Sequence, residues 1–585
     1  MKHFKLFMSM LLTMLSTIAV WADTYTDTNG VIYVYTPGKS TAYTLRGGGT
    51  GFDSDPTPAH NGLSGNIEIL ESFTVDGHTY IVTEVGWATF MDNKDITSVI
   101  IPKTVTTISP TAFYRCTGLT DIYCYANPNY VEWGGIDGYS DGKPNKGTVL
   151  HVPSNYLSKY EKEFDHLNFT FNGDLPEADE NEVVCGNLRN LLYWIAIKNG
   201  TIPVIDKITG QEIEKPKYRL ILYYPYGSGE MPTGYSSNSL SPWTKMETIA
   251  ELVVDEGVQS ISTNAFQNLQ YLTKVSLPKS GFKSIGNFAF SGADVAEINL
   301  PEGLKSIGGQ AFIGNRSLKS IKFPASLTSL FYNAFADNDL ENITVDAGNT
   351  VYSSPEGSNA VICKADDELV LGCKTTIIPK SVKSIGKWAF YKNSLTNIDI
   401  PEGVTSIGQL AFAYCKSLKG VVLPNSVTSI GQEAFRLSSE IQEFVIGSGV
   451  TSIGTKAFYG CDKMENVYCN ANPTALTWEG YDDTGSFKKN KATKIHVAKA
   501  DLVAWQTKYP DINATFLGDL DGADPVNSGD VDGDGEVTTS DIEKVVGVIT
   551  GLITDDKTMA AADVNNDSKV DVADIVALVK ILNEK

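Results

Sequence analysis

One unit recurs through most of this chain, and the recurrence limits the fold more than any other property. SIGGQAFIGNRSLKSIKFP, SIGQLAFAYCKSLKGVVLP and SIGQEAFRLSSEIQEFVIG align without gaps. Indexed by its Phe, the unit places Phe266, Phe290, Phe312 and Phe335 at spacings of 24, 22 and 23 residues. Phe390, Phe412, Phe435 and Phe458 follow at 22, 23 and 23, and Phe90 and Phe113 lie 23 apart. A fixed period of this length marks an architecture in which each unit buries its apolar face only by stacking on the next. Parallel turns stack at about 4.8 Å, so the full set makes a rod on the order of 50 Å.

Each slot of the unit has a physical reading. Ile285, Ile307, Ile385, Ile407, Ile430 and Ile453 share one apolar place and are expected to point inward. The Gly after each of them is expected at a tight corner with a positive φ. The Ala before the Phe lets turns approach while the Phe fills the interior. Pro278, Pro301, Pro324, Pro379, Pro401 and Pro424 end short strands such as Ile321-Lys322-Phe323, because Pro stops a ladder. Cys116, Cys415 and Cys461 each stand three residues after a Phe, which favours buried thiols with a packing role over disulfides. Cys363 and Cys373 flank a hairpin around Asp366-Asp367, and a bridge between them is open.

The pattern L-x-x-I-x-x-P-x-x-V-x-S-I-G-x-x-A-F resembles the BspA-like leucine-rich repeat of secreted and surface proteins, over most of residues 67–519. The stretch Asp346-Ala-Gly-Asn-Thr-Val-Tyr352, with the hairpin leading to Ile378-Pro379, resembles an insertion of that family. Segments 123–174 and 468–519 are similar to each other: YCYANPNYVEWGG against YCNANPTALTWEG, each closing on an aromatic strand and Gly-Asp. Each follows a run of repeats and is expected to cap it, with Trp133 and Trp478 covering the last turn rather than binding a ligand. The polar linker 176–182 then divides two blocks, 23–175 and 183–519, each with its own opening strands. The fold class expected is mainly β: a right-handed leucine-rich repeat solenoid in two capped blocks, followed by a small α-helical calcium module of dockerin-like or EF-hand type.

Lys2 and Lys5 precede an apolar or small run from Leu6 to Val20, and Val20-Trp21-Ala22 suits cleavage before Asp23. This reads as a signal peptide, 1–22, and the apolar run is short for a spanning helix, which needs roughly 20 residues. No later stretch is long and apolar enough to span a membrane, and no Cys follows the cut to take a lipid. The expected location is extracellular or at the cell surface. A net charge of −22 argues against nucleic acid as a partner, since phosphate backbones need Lys and Arg.

Nearly half of that charge lies in residues 521–585, which carry 12 Asp, 3 Glu, 5 Lys and no Arg. Two loops of 12 residues, 33 apart, explain it. Asp530, Asp532, Asp534, Thr538 and Asp541 supply side-chain oxygens in the first, and Asp563, Asn565, Asp567, Asp571 and Asp574 in the second. Glu536 and Lys569, at the seventh place, supply main-chain carbonyls. Six to eight oxygens at this spacing suit a hard cation, so two Ca2+ sites are expected. Gly535 permits the sharp turn of the first loop; Ser568 replaces it in the second, where a left-handed conformation costs about 1–2 kcal/mol. Ile542, Val545, Val546 and Ile549 match Ile575, Leu578, Val579 and Leu582 at helical spacing.

Asp at the twelfth place, and no clear helix before either loop, make 521–585 resemble a type I dockerin. That resemblance implies a cohesin-type receptor as partner, met through Thr539, Ser540, Val572 and Ala573. A calcium site that only stabilises this module is the alternative.

No nucleophile elbow, zinc motif, paired CxxC or phosphate loop occurs. His78, His151, His166 and His496 are scattered, and His151 and His496 fall at equivalent cap positions, which favours a structural role. No catalytic residue is nominated and no enzyme is expected. The function expected is a secreted or surface adhesion protein whose repeats bind a protein partner and whose calcium module docks it. The alternative is a non-catalytic scaffold or glycan-binding component of a polysaccharide-degrading complex. No aromatic or basic stripe is evident on the repeats from sequence.

Overall fold

In a computed structural model of the chain, the described residues are 22–520, apart from 38, 46–61, 110, 134–146, 168, 180–181, 189–191, 207–208, 225–227, 233–240, 247 and 481–492. In the C-terminal module they are 531, 542, 544–546, 548, 562, 564, 570 and 574–578. Two compact units result, Met1–Ser354 and Pro355–Lys585.

The first unit opens with antiparallel strands, Asp23–Thr26 on Ile32–Tyr35 and Ser72–Val75 on His78–Val85, and then becomes parallel. A second antiparallel hairpin, Leu192–Ile205 on Glu212–Tyr223, hands over to parallel pairing at Ile249–Val254. From there each turn contributes a two-residue strand. Ser260-Ile261, Ser284-Ile285, Ser306-Ile307 and Ser329-Leu330 pair in parallel, Ser beside Ser and apolar beside apolar. Alternation along a strand sends the Ile inward, where Ile285 and Ile307 are 1% exposed, and leaves Ser284 and Ser306 half-buried.

The second unit repeats this plan. Its hairpin, Ala360–Cys363 on Glu368–Gly372, leads into parallel pairs at Ser384-Ile385, Ser406-Ile407, Ser429-Ile430, Ser452-Ile453 and Thr477-Trp478. An opposite ladder runs through Gly420–Val422, Glu443–Ile446, Asn466–Cys469, Lys494–Ala498 and Thr515–Leu520. Within the C-terminal module Val531, Val545, Ala562, Val564 and Leu578 form a small core. Residues 574–578 are helical, as are Ile542, 544–546 and Val548. Val545 and Leu578 are buried at equivalent offsets, but Val546 is 40% exposed. Ala562, just before the second loop, is helical too, which departs from the expectation of no helix there.

Two readings of the glycine and cysteine slots are corrected. Gly286, Gly308, Gly408, Gly431 and Gly454 do not have positive φ. They are needed for close approach: a Cβ at Gly408 would stand 2.7 Å from the Gly386 carbonyl carbon, and one at Gly431 2.6 Å from the Gln409 nitrogen. Cys363 and Cys373 form no disulfide. Cys363 pairs with Glu368 at one end of the hairpin, and Cys373 follows Gly372 at the other.

The linker 176–182 does not separate the two compact units; their seam falls at Ser354/Pro355. The hairpin after the linker has an apolar face that needs cover. Val183, Cys185, Ile195, Ile221, Tyr223 and Val253 therefore close a cluster with Ile81. Lys103 bonds Glu182 at 2.5 Å and Lys198 bonds Asp179 at 3.0 Å, so the linker is held at these two residues.

Candidate functional site

The interior is a column of rings. Phe266, Phe290, Phe312 and Phe335 stack at 5.4, 5.1 and 4.9 Å between centroids. Phe390, Phe412, Phe435 and Phe458 do so at 4.9, 5.2 and 5.8 Å. In five of the turns the residue three after the Phe is a hydrogen-bond donor to the turn before; Leu269 and Ala293 hold the place in two others. Cys116 Sγ donates to the Phe90 carbonyl at 2.9 Å, Cys415 Sγ to Phe390 at 3.0 Å and Cys461 Sγ to Phe435 at 3.2 Å. Asn315 Nδ2 reaches Phe290 at 2.9 Å, and Ser438 Oγ reaches Phe412 at 2.6 Å. A buried carbonyl without a partner is costly, so in these five turns the slot is filled by a donor rather than by mere bulk. Burial pushes the Cys415 thiol up to about 12, which keeps its proton in place.

The caps share one arrangement. His151 bonds Asp174 through Nδ1 and Asp121 through Nε2, each at 2.9 Å, and stacks on Tyr123. His496 bonds Asp519 and Asn466 through the same atoms and stacks on Tyr468. Burial disfavours a charge on His151, but its hydrogen bonds to the Asp121 and Asp174 carboxylates, with their negative charge, outweigh it and raise its pKa. With both nitrogens engaged, His151 ties three cap strands together. Trp133 packs on Phe164 and Phe169, and Trp478 on Phe458 and Tyr509, as covers of the last turns.

The outer turn edge of the second unit carries a row of half-buried aromatic and cationic side chains. Trp388 packs on Tyr391 at 4.3 Å, and Tyr391 meets Tyr414 edge-on at 5.4 Å and 70°. Arg436 lies over Tyr459 at 5.7 Å, fixed by Glu433 at 2.5 Å. The residue two after each Phe has a positive φ here, 57° at Lys392, 62° at Tyr414 and 58° at Leu437. That conformation turns the amide toward the next turn: Lys392 N–H donates to Ala413, Tyr414 to Arg436 and Leu437 to Tyr459, at 2.8, 2.7 and 2.7 Å. It costs a side-chain-bearing residue about 1–2 kcal/mol.

Of the expected calcium ligands, Asp574 alone is among the described residues. It is fully buried at the start of the 574–578 helical stretch. Asp530, Asp532, Asp534, Glu536, Thr538, Asp541, Asp563, Asn565, Asp567, Lys569 and Asp571 lie outside the described residues, as do Thr539, Ser540, Val572 and Ala573. The donor set is all oxygen, with Asp at four of the five side-chain places of each loop and Thr538 or Asn565 at the fifth, which fits a hard cation.

The family model of the BspA type leucine rich repeat region matches residues 67–134, 243–354 and 371–486 in six copies, just over half of the chain. The chain belongs to the BspA type leucine rich repeat family. The dockerin type I domain matches residues 528–583, so this BspA-type chain carries a dockerin at its C-terminal side, and dockerins of this type bind calcium. Among solved structures, it is similar to a leucine-rich repeat protein from Eubacterium ventriosum, at 23% identity over 54% of this chain and 84% of that one, with TM-score 0.40. A leucine-rich cell surface protein from Faecalibacterium prausnitzii matches at 20% identity over 77% and 96%, with TM-score 0.30. A leucine-rich repeat protein from Bacteroides ovatus matches at 16% identity over 78% and 98%, with TM-score 0.27. No curated protein matches. No helix among the described residues is long and apolar enough to cross a membrane.

The turn-edge row of this BspA-type solenoid corrects the expectation that no stripe is present. Its residues share no chemistry at any single repeat place, so alignment hides them. The signal was in the pair after each Phe, which reads Tyr-Lys, Ala-Tyr, Arg-Leu and Tyr-Gly in successive turns.

Proposed function

We propose that this chain is an exported, non-enzymatic binding protein of the cell surface or its surroundings. Residues 1–22 direct export, the repeat blocks 23–175 and 183–519 bind a protein partner, and the dockerin at 521–585 fastens the chain to a cohesin-type receptor. Two calcium ions held by the loops at 530–541 and 563–574 shape the dockerin, and Thr539, Ser540, Val572 and Ala573 meet the receptor. The observation that carries this reading is the union of a repeat array over half of the chain with a dockerin match at 528–583. A solenoid offers a long rigid surface suited to protein ligands.

The test uses the full chain as bait against envelope and secreted fractions of its source cells, with calcium and then with chelator. A receptor retained with calcium and released by chelator supports docking. Calcium-induced folding of the module with no retained receptor would reduce it to a stabilised tail.

A further inference from the structure

The turn edge of the Pro355–Lys585 unit is built against local backbone preference. Two residues after each Phe, the amide must turn toward the next repeat, and φ is positive there in both units. In Met1–Ser354 that place is held by Asp92, Asn268, Gly292, Gly314 and Asp337, and in one turn by Arg115. Gly, Asn and Asp adopt this conformation most readily. In Pro355–Lys585 three successive turns hold Lys392, Tyr414 and Leu437 instead. None of the three belongs to the apolar core of its unit, and all are half-buried at the surface. Interior packing therefore does not account for the strain. Strain kept at a surface position points to a use for the side chain that bears it.

The side chains also line up in successive turns. Trp388 leans on Tyr391, Tyr391 on Tyr414, and Arg436 on Tyr459. Trp, Tyr and Arg are the residue types that carry most binding energy at protein interfaces. Lys387, Lys416, Lys456 and Lys463 flank the row, with Glu433, Glu440 and Asp462 as the acidic residues of the same corner segments, 387–394, 409–416, 432–440 and 455–463. The edge is thus basic on a chain whose net charge is −22. One ring face each on Tyr391 and Tyr459 is already occupied: Lys392 lies 5.9 Å over Tyr391 and Arg436 5.7 Å over Tyr459. Covered faces are poor platforms for stacking sugars, whereas ring edges and cationic heads suit carboxylates.

We propose that this turn edge is the docking surface of the repeats for an acidic protein. Carboxylates of the partner meet Lys392 and Arg436, and its apolar side chains pack along Trp388, Tyr391, Tyr414 and Tyr459. The proposal rests on the reading of the repeats as protein-binding.

The test compares the full chain with a Lys392→Asn/Tyr414→Asn variant. Asn is the residue that the other unit uses at this place, so the variant should melt at the same temperature or a few degrees higher. Both proteins, with calcium present, are panned against a display library of random peptides, and polygalacturonate binding is measured in parallel. The expected result is enrichment of peptides with several carboxylates beside aliphatic or aromatic residues. Their capture should fall about tenfold or more in the variant and weaken with added salt. Acidic peptides captured equally by both proteins would overturn this surface alone and leave protein binding elsewhere on the repeats. Enrichment without carboxylates would overturn the acidic partner. Polygalacturonate bound by the wild type and lost in the variant, with no peptide enriched, would make the occupant an anionic glycan and overturn the proposal. No binding of any probe would overturn both this surface and the protein-binding reading.

Discussion

Three residues after the Phe, a single side chain decides whether a carbonyl of the previous turn is satisfied. Asn315 is the fullest case. Its amide nitrogen donates to Phe290 and Phe312 at 2.9 and 2.8 Å, and its oxygen accepts from Val295 N–H at 2.9 Å. Asn338 takes the same place one turn later, is 5% exposed, and neither amide atom has a hydrogen-bond partner among the described residues. The two should respond oppositely to one change. Asn315→Ala should cost about 1–3 kcal/mol in urea unfolding, because it strands buried partners. Asn338→Ala should be neutral or stabilising, because it removes a polar group that gains nothing from its site. Equal losses would mean the slot measures volume alone. The sequence placed Cys116, Cys415 and Cys461 in this slot, and burial was legible from that. Donation was not, because thiols look apolar; Asn315 and Ser438 in the same place were the available sign.

At the scale of a turn, spacing between backbones governs. Gly408→Ala should destabilise the second unit by about 1–3 kcal/mol, since its Cβ would press on turn 386 and no rotamer can relieve backbone contact. Gly420→Ala, whose Cβ would come no nearer than 3.6 Å to another chain segment, should stay within about 0.5 kcal/mol. Thermal melts of the two variants check this; a similar effect from both would return the argument to chain flexibility. The period predicted where the glycines fall but not why, because a φ requirement and a contact requirement leave the same letter. The junction inside the first unit was illegible for a different reason. Asp255 is fully buried and accepts Ser40 N–H at 2.7 Å, a contact between residues 215 positions apart that no local pattern encodes. Burial raises its pKa to about 7, against which Ser40, Lys39 and Arg219 act. The folded chain therefore binds this proton more tightly than the unfolded one. Its contribution is present in full below the ordinary carboxylate range, near pH 4, and is lost as pH rises toward about 7. Asp255→Asn should flatten the fall in stability between those limits, as read from melting temperatures across that range. An unchanged slope would assign the pH dependence to other groups.

At the scale of the whole chain, the two kinds of module should depend on calcium differently. Repeats gain stability from each neighbour through apolar ladders and ring columns. Among the described residues no group of three or more His, Cys, Asp or Glu is placed to hold a metal. The dockerin has a far smaller core, in which Val531, Val545, Ala562, Val564 and Leu578 are the buried apolar residues described. A core of that size needs a staple, and metal binding then supplies folding free energy directly. Chelation should therefore open cleavage sites beyond residue 520 in limited proteolysis while the repeats keep their melting temperature. Joint loss would show that the repeats lean on the metal. The two proposed loops should also separate. Ser568 stands where the first loop has Gly535, and a left-handed residue there costs about 1–2 kcal/mol, roughly a tenfold loss of affinity. Calorimetric titration of the full chain should then show two steps. Ser568→Gly should tighten the weaker one, while Asp541→Ala should remove the stronger. If Ser568→Gly tightens neither step, position six of the second loop does not adopt the left-handed turn, and the asymmetry between the loops must come from their other differing ligands, Asn565 in place of Asp532 and Asp571 in place of Thr538.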